Sequence, residues 1–122
     1  MFSFNAIEFQ ELEDLARHGV KTFELVCADH IAIAQKLKKG DRVFISNLSK
    51  SDLRLGSQGL LAKVMNVKID YWRTVPREFD EKELLTTRIQ VSYIDEVRVR
   101  KIDDLGPGKG IEVEIEPHVI LG

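Results

Sequence analysis

Thr22 and Glu24 stand two residues apart, Lys21 precedes them, and the pair Asp29-His30 follows a few positions on. Residues two apart in a strand share a face, so a hydroxyl and a carboxylate would project together, with a second carboxylate and an imidazole just past the strand end. That set supplies acid and base groups, or hydrogen bonds to the edge of a base. Each member also has an ordinary explanation: Glu24 as the ion-pair partner of Lys21 or another basic neighbour, Asp29 as a helix cap, His30 as a surface residue of a first helical turn. Lys21 alternates away from Thr22, so the two cannot converge on one substrate atom without a sharp backbone twist.

A second group is Tyr71, Trp72, Arg73, Arg77 and Phe79, where aromatic and basic residues interleave. Such side chains stack on unpaired bases while guanidinium groups meet phosphates. Equally, the aromatics could close one end of a core while the arginines pair with Glu78, Asp80 and Glu81. A third group is electrostatic. The chain carries a net charge of −2, yet residues 31 to 60 hold six basic and two acidic groups, among them Lys36, Lys38, Lys39, Arg42, Lys50 and Arg54. A local anionic partner is therefore compatible with an acidic total.

Other chemistries are excluded. The single Cys27 forms no internal disulfide and belongs to no zinc motif. Gly106-Pro107-Gly108-Lys109-Gly110 lacks the following Ser or Thr of a phosphate loop and precedes an alternating strand, so it reads as a hairpin turn. Arg98 and Arg100 face Glu112, Glu114 and Glu116 across that hairpin, which points to ion pairing rather than a nucleic-acid stripe. Hydrophobic residues at 43% and charged residues at 31% suit a soluble globular protein. No apolar run reaches the roughly 18 residues of a membrane span, and no basic flank with an apolar core opens the chain, so a cytoplasmic protein is expected. No metal or cofactor is expected.

The elements that must position these groups follow from periodicity. Ser3 or Asn5 can cap a helix running to about Arg17, with Ile7, Leu12, Leu15 and Ala16 on its apolar stripe and Gly19 closing it. A strand covers Val20 to Cys27, a short helix His30 to Leu37, and a second strand Arg42 to Ser46. Asn47 to Gln58 is turn-rich, with one helical turn at Lys50 to Leu53. From Gly59 to Trp72 the apolar residues change parity near Val64, which calls for a β-bulge. An insertion between Arg73 and Thr87 contains a helix from about Glu78 to Thr86. The strand from Arg88 to Lys101 breaks its alternation at Ile94-Asp95, read as a bend, and Ile111 to Glu116 ends the set. The fold class is mixed α/β, mainly β: a single domain spanning residues 1–122, with a small barrel of roughly five or six strands and two or three helices.

Gly19-Val20-Lys21-Thr22-Phe23-Glu24-Leu25 resembles the Gly-x-Lys-Thr-x-Glu-x-Arg stretch that follows the first helix of ASCH domains, a branch of the PUA-like superfamily. The likeness continues through Lys39-Gly40-Asp41-Arg42-Val43 and Gly59 to Val64, and covers about the first 70 residues. Val26 stands where arginine is usual, so a side chain that could grip a phosphate or carboxylate is missing. The chain is similar also, over most of its length, to a small family of uncharacterised archaeal proteins that share Lys-Thr-x-Glu-Leu, an Asp-His pair, a Gly-Asp strand and Arg-Ile-Gln-Val-x-Tyr, here Arg88 to Tyr93. The ASCH resemblance implies a PUA-like barrel and a ligand drawn from RNA, nucleotides or modified nucleosides. Some ASCH proteins are amidohydrolases. Lys21 occupies their lysine position, but Glu24 stands where their nucleophilic threonine lies.

The leading expectation is therefore a protein that binds RNA or a nucleotide-like ligand in a cleft beside the Lys21–Leu25 strand. Its contacts would come from Lys21, Glu24, His30, Lys50, Arg54, Lys63, Trp72, Arg73 and Arg77. The alternatives are an amidohydrolase acting on acylated nucleosides through Lys21, Thr22 and Glu24, and a protein-interaction module built on an exposed strand edge.

Overall fold

Leu12 and Leu15 are the buried residues of helix α1 (Phe9–His18), and Gly19 ends it in the left-handed conformation, its N–H donating to the Leu15 carbonyl at 2.8 Å. The chain passes straight into β2 (Val20–Leu25), where Phe23 and Leu25 are buried while Thr22 and Glu24 are exposed. This computed structural model describes residues 1–73 and 83–116, with side chains for 1–70 and 86–116.

The N-terminal cap differs from expectation. Ser3 and Asn5 do not open α1: Phe2–Phe4 is a strand, β1, and Glu8 takes the cap position without a side-chain bond. Three residues are too few for a readable period, and β1 exists because it is paired on both sides. It runs parallel to β3 (Arg42–Ile45) and antiparallel to β6 (Ile111–Glu116), with Phe4 buried. Helix α2 (Ala28–Ala34) begins two residues earlier than the sequence suggests, with Cys27 at its cap position. Asp29 lies in its first turn rather than before it.

Two long strands organise the sheet. β4 (Gln58–Arg73) and β5 (Glu83–Asp104) pair antiparallel along most of their length. The helix expected over Glu78 to Thr86 is not present at residues 83–86, which continue β5 in pairing with β4; the rest of that segment lies outside the described residues. β3 pairs with β4, β4 with β5, β5 with β6, β6 with β1 and β1 with β3, so the pairing closes on itself. β2 stands outside this ring, antiparallel to the first half of β5. The architecture is mainly β, with six strands in one sheet and two helices among the described residues.

The parity change near Val64 is a real irregularity. Val64 pairs with Val91 and Asn66 with Gln90, leaving Met65 unpaired. A matching break on β5 has Tyr93 opposite Ala62 and Asp95 opposite Leu61, with Ile94 left over and exposed. The Met65 bulge changes which parity of β4 points inward while keeping it on one core, Val64 before it and Val67 after it, whereas the Ile94 bulge carries β5 from that core, at Val91 and Tyr93, to a second one at Val97 and Val99. The consequence is two cores. One holds Phe23, Leu25, Val64, Ile89 and Val91 beneath α1 and α2. The other gathers Phe44, Leu61, Val97, Val99, Ile111 and Val113 from the ring strands. β3 serves both, with Val43 and Ile45 in the first and Phe44 in the second. Packing at Phe44 is tight enough to require a glycine opposite: a Cβ on Gly59 would lie 2.4 Å from the Phe44 ring.

Candidate functional site

Directly opposed residues in a sheet project from the same face, so the registers assemble the surface of β2, β5, β4 and β3 row by row. The first row is Val20, Ser92, Lys63 and Arg42; the second is Thr22, Gln90 and Asn66; the third is Glu24, Arg88 and Lys68; the fourth is Thr86 and Asp70. Every one of these residues is exposed or half-exposed. Strands lie about 4.8 Å apart, so Arg42 and Lys63 are immediate neighbours, and so are Lys68 and Arg88.

Two like-charged cross-strand pairs thus sit on one uncovered face, an arrangement that destabilises a sheet. In the third row Glu24 faces Arg88, and Asp70 lies 3.7 Å from Lys68. The first row contains no carboxylate. The far half of β5 behaves oppositely: Arg98 is paired in register with Glu116, and Arg100 meets Glu114 at 3.2 Å, as the sequence suggests. Gly106 to Gly110 forms the hairpin turn there, closed by Leu105 N–H on the Gly110 carbonyl at 3.2 Å.

Lys21 is not part of this face. It lies opposite Val91 on the covered side, its Nζ 3.5 Å from Asp14 of α1 and 5.8 Å from the centroid of the Phe23 ring. Asp14 accepts a hydrogen bond from Gln10, and that bond, with the Lys21 ammonium behind it, holds its carboxyl below the usual range. Lys21 therefore ties helix to strand, and the alternation that separates it from Thr22 holds.

His30 and Lys50 lie elsewhere again, around a cleft of about 230 Å³ between the residues after β1, the start of α2 and the start of β6. No residue of the Lys21–Leu25 strand lines it. The Lys50 ammonium is 3.1 Å from Asp104 and 3.8 Å from Asp29. The His30 ring stands edge-on to Phe4, with centroids 5.4 Å apart, and its burial lowers the imidazole pKa against a hydrogen bond to the Asn5 main chain and the charge of Asp29. Arg54 borders a separate open groove with Leu55, Arg100 and Lys101. Trp72 and Arg73 end β4, opposite Leu84 and Glu83, and Arg77 lies outside the described residues.

The expected contact set is thus divided: Thr22, Glu24 and Lys63 share the sheet face, His30 and Lys50 share the cleft, and Lys21 and Arg54 join neither. Sequence reasoning missed Lys68 and Arg88 as members of the face, and Ser3, Asn5 and Ala6 in the cleft. For Lys68 a signal existed. Lys63 and Lys68 are five apart and would leave opposite faces of a regular strand, but the bulge implied by the parity change brings them together. Among the described residues, no group of three or more His, Cys, Asp and Glu could hold a metal ion, and no helix is long and apolar enough to cross a membrane.

Compared with known proteins, the chain matches the family described as "Protein of unknown function (DUF473)" over residues 1–113. "Uncharacterized protein MJ0105" of Methanocaldococcus jannaschii is 29% identical over 108 residues, covering 86% of this chain and 68% of that protein. No solved structure matches this chain.

Proposed function

Taking as premise that the chain belongs to the DUF473 family, whose function is unknown, we propose that it binds single-stranded RNA across the uncovered face of β2, β5, β4 and β3. In this reading the closed ring of strands is a PUA-like barrel of the ASCH kind, and the protein is a binding module of one domain working in the cytoplasm.

The observation that carries the proposal is the pair of like-charged cross-strand contacts, Arg42 with Lys63 and Lys68 with Arg88. The Arg42–Lys63 pair, whose row holds no carboxylate, works against the sheet by a few tenths of a kcal/mol or more, while Glu24 and Asp70 partly offset the Lys68–Arg88 pair. A phosphodiester strand laid across the rows turns that repulsion into attraction. Between the Arg42–Lys63 and Lys68–Arg88 pairs lie Thr22, Gln90 and Asn66, whose hydroxyl and amide groups can donate to and accept from ribose hydroxyls and unpaired base edges. An exposed, side-chain-studded sheet face suits a single strand better than a duplex, whose bases are already paired. The amidohydrolase alternative would need Lys21 beside Thr22, and these side chains leave opposite faces of β2.

Fluorescence anisotropy with a labelled 12-nucleotide RNA, measured across a salt series, tests the reading. Affinity should fall with a log–log slope of about −0.7 per phosphate engaged, or about −2.8 if all four cations take part. Absence of binding at low salt would end it.

A further inference from the structure

The cleft around His30 uses none of the residues of the sheet face, and its construction calls for its own explanation. Its rim begins at Ala6, the one non-glycine residue among those described with a positive φ, +58°. For a residue with a Cβ this conformation is strained, and it persists only where surrounding structure imposes it. Here the constraint is visible: the Ala6 N–H donates to the Leu48 carbonyl at 2.8 Å and the Ile7 N–H to the Ser46 carbonyl at 3.1 Å. The Ala6 side chain is exposed, so core packing does not account for the strain.

The next residue back supplies a polar group with a defined direction. Ser3 and Asn5 are both buried, and the Ser3 hydroxyl donates to Asn5 Oδ1 at 2.6 Å. That bond fixes which way the amide faces and leaves its two N–H donors without a partner among the described residues, on a side chain that lines the cleft. The His30 imidazole stands beside it; burial disfavours its charged form, its N–H is taken by the Asn5 main-chain carbonyl, and the other ring nitrogen of the neutral form is left as an acceptor. Behind these groups the wall is apolar. Ile33 and Ile111 are buried, and Gly110, at φ +85°, has no room for a side chain, because a Cβ there would lie 2.7 Å from Ile33 Cδ1.

Charge decides the class of occupant. The single ammonium at the mouth, Lys50, is already held by the carboxylates of Asp29 and Asp104, so the entrance carries no excess positive charge to attract an anion. The volume, about 230 Å³, corresponds to roughly seven or eight waters at liquid density. An apolar wall, a directed amide and a neutral imidazole in a space of that size match a flat, uncharged ring with a carbonyl or amide edge.

We infer that this cleft is a binding site for a neutral planar heterocycle of single-nucleobase size, held by Asn5 and His30 against the Ile33–Gly110 wall. The inference does not depend on RNA binding by the sheet face. The test is amide NMR of the whole protein titrated separately with uracil, cytosine, adenine and nicotinamide, each to its solubility limit. At least one should give saturable shifts at Ala6, His30 and Gly110. Cys27 is exposed on the cleft rim, so Cys27→Phe fills the space without entering a core and should weaken that binding tenfold or more. The Lys63→Glu, Arg88→Glu double variant, altered only on the sheet face, should leave it unchanged while losing RNA. Saturable shifts abolished by Cys27→Phe support the inference. It is overturned if no probe gives saturable shifts, if the shifts fall on the sheet face instead, or if Cys27→Phe binds as well as the natural chain.

Discussion

Reversing the charge of Lys63 should move stability and RNA affinity in opposite directions. Lys63 is exposed on β4, directly opposite Arg42 on one side and Ser92 on the other. In Lys63→Glu the like-charged pair becomes a complementary one. Opposed charged pairs contribute about 0.2–1 kcal/mol and like pairs cost a similar amount, so the change stabilises the fold by about 0.5–1.5 kcal/mol at low salt. For a chain of this size that raises the midpoint of thermal unfolding by about 2–6 °C. RNA binding loses one phosphate contact and gains a repulsion, which lowers affinity by about one order of magnitude or more at 50 mM salt and makes the salt slope shallower by about 0.7 or more. Calorimetry or circular dichroism gives the first quantity and anisotropy the second. A residue with only a structural role would lose both together or neither. If Lys63→Glu unfolds earlier than the natural protein, or binds RNA as tightly, the reasoning from the like-charged rows is wrong.

Three other outcomes follow from the same structure. Gly59→Ala should destabilise the protein by about 1–3 kcal/mol, because the new methyl would meet the fully buried Phe44 ring at 2.4 Å; urea unfolding measures it. His30 has a pKa lowered by burial, so the unfolded chain takes up the proton first; the stability it contributes is present above about pH 6.5 and is lost as pH falls from there to the lower folded value. Denaturation midpoints between pH 7.5 and 5 should show this decline, and a His30→Gln variant should show less of it. Lys21→Ala should cost no more than about 1 kcal/mol, the scale of a partly exposed ion pair with Asp14, and should leave RNA affinity within about twofold, since the residue lies on the covered side of β2.

Several elements were legible from local pattern alone. Gly19 marked the end of α1, and period-two alternation placed β2 and β6, the latter to the residue. The parity change at Val64 announced a bulge, because one inserted residue lets a strand keep burying the same face while its apolar positions change parity. Exclusions were legible too: one cysteine cannot make an internal disulfide, and the glycine-rich loop before β6 lacked the partners of a phosphate loop.

Tertiary structure alone decided the rest. β1 is three residues long and exists through its pairing with β3 and β6, partners about 40 and 110 positions away, so no local period could reveal it. Residues 83–86 follow the same rule: their composition admits a helix, but pairing with β4 makes them strand. The cationic face needed the relative register of four strands before Arg42, Lys63, Lys68 and Arg88 became neighbours. The cleft needed residues near positions 5, 30, 50 and 110 brought to one place. Periodicity is a property of consecutive residues and can be read along the chain, whereas strand register is set by burying the two cores together. That is why this sequence declared most of its elements, while only the folded molecule showed which charges stand side by side.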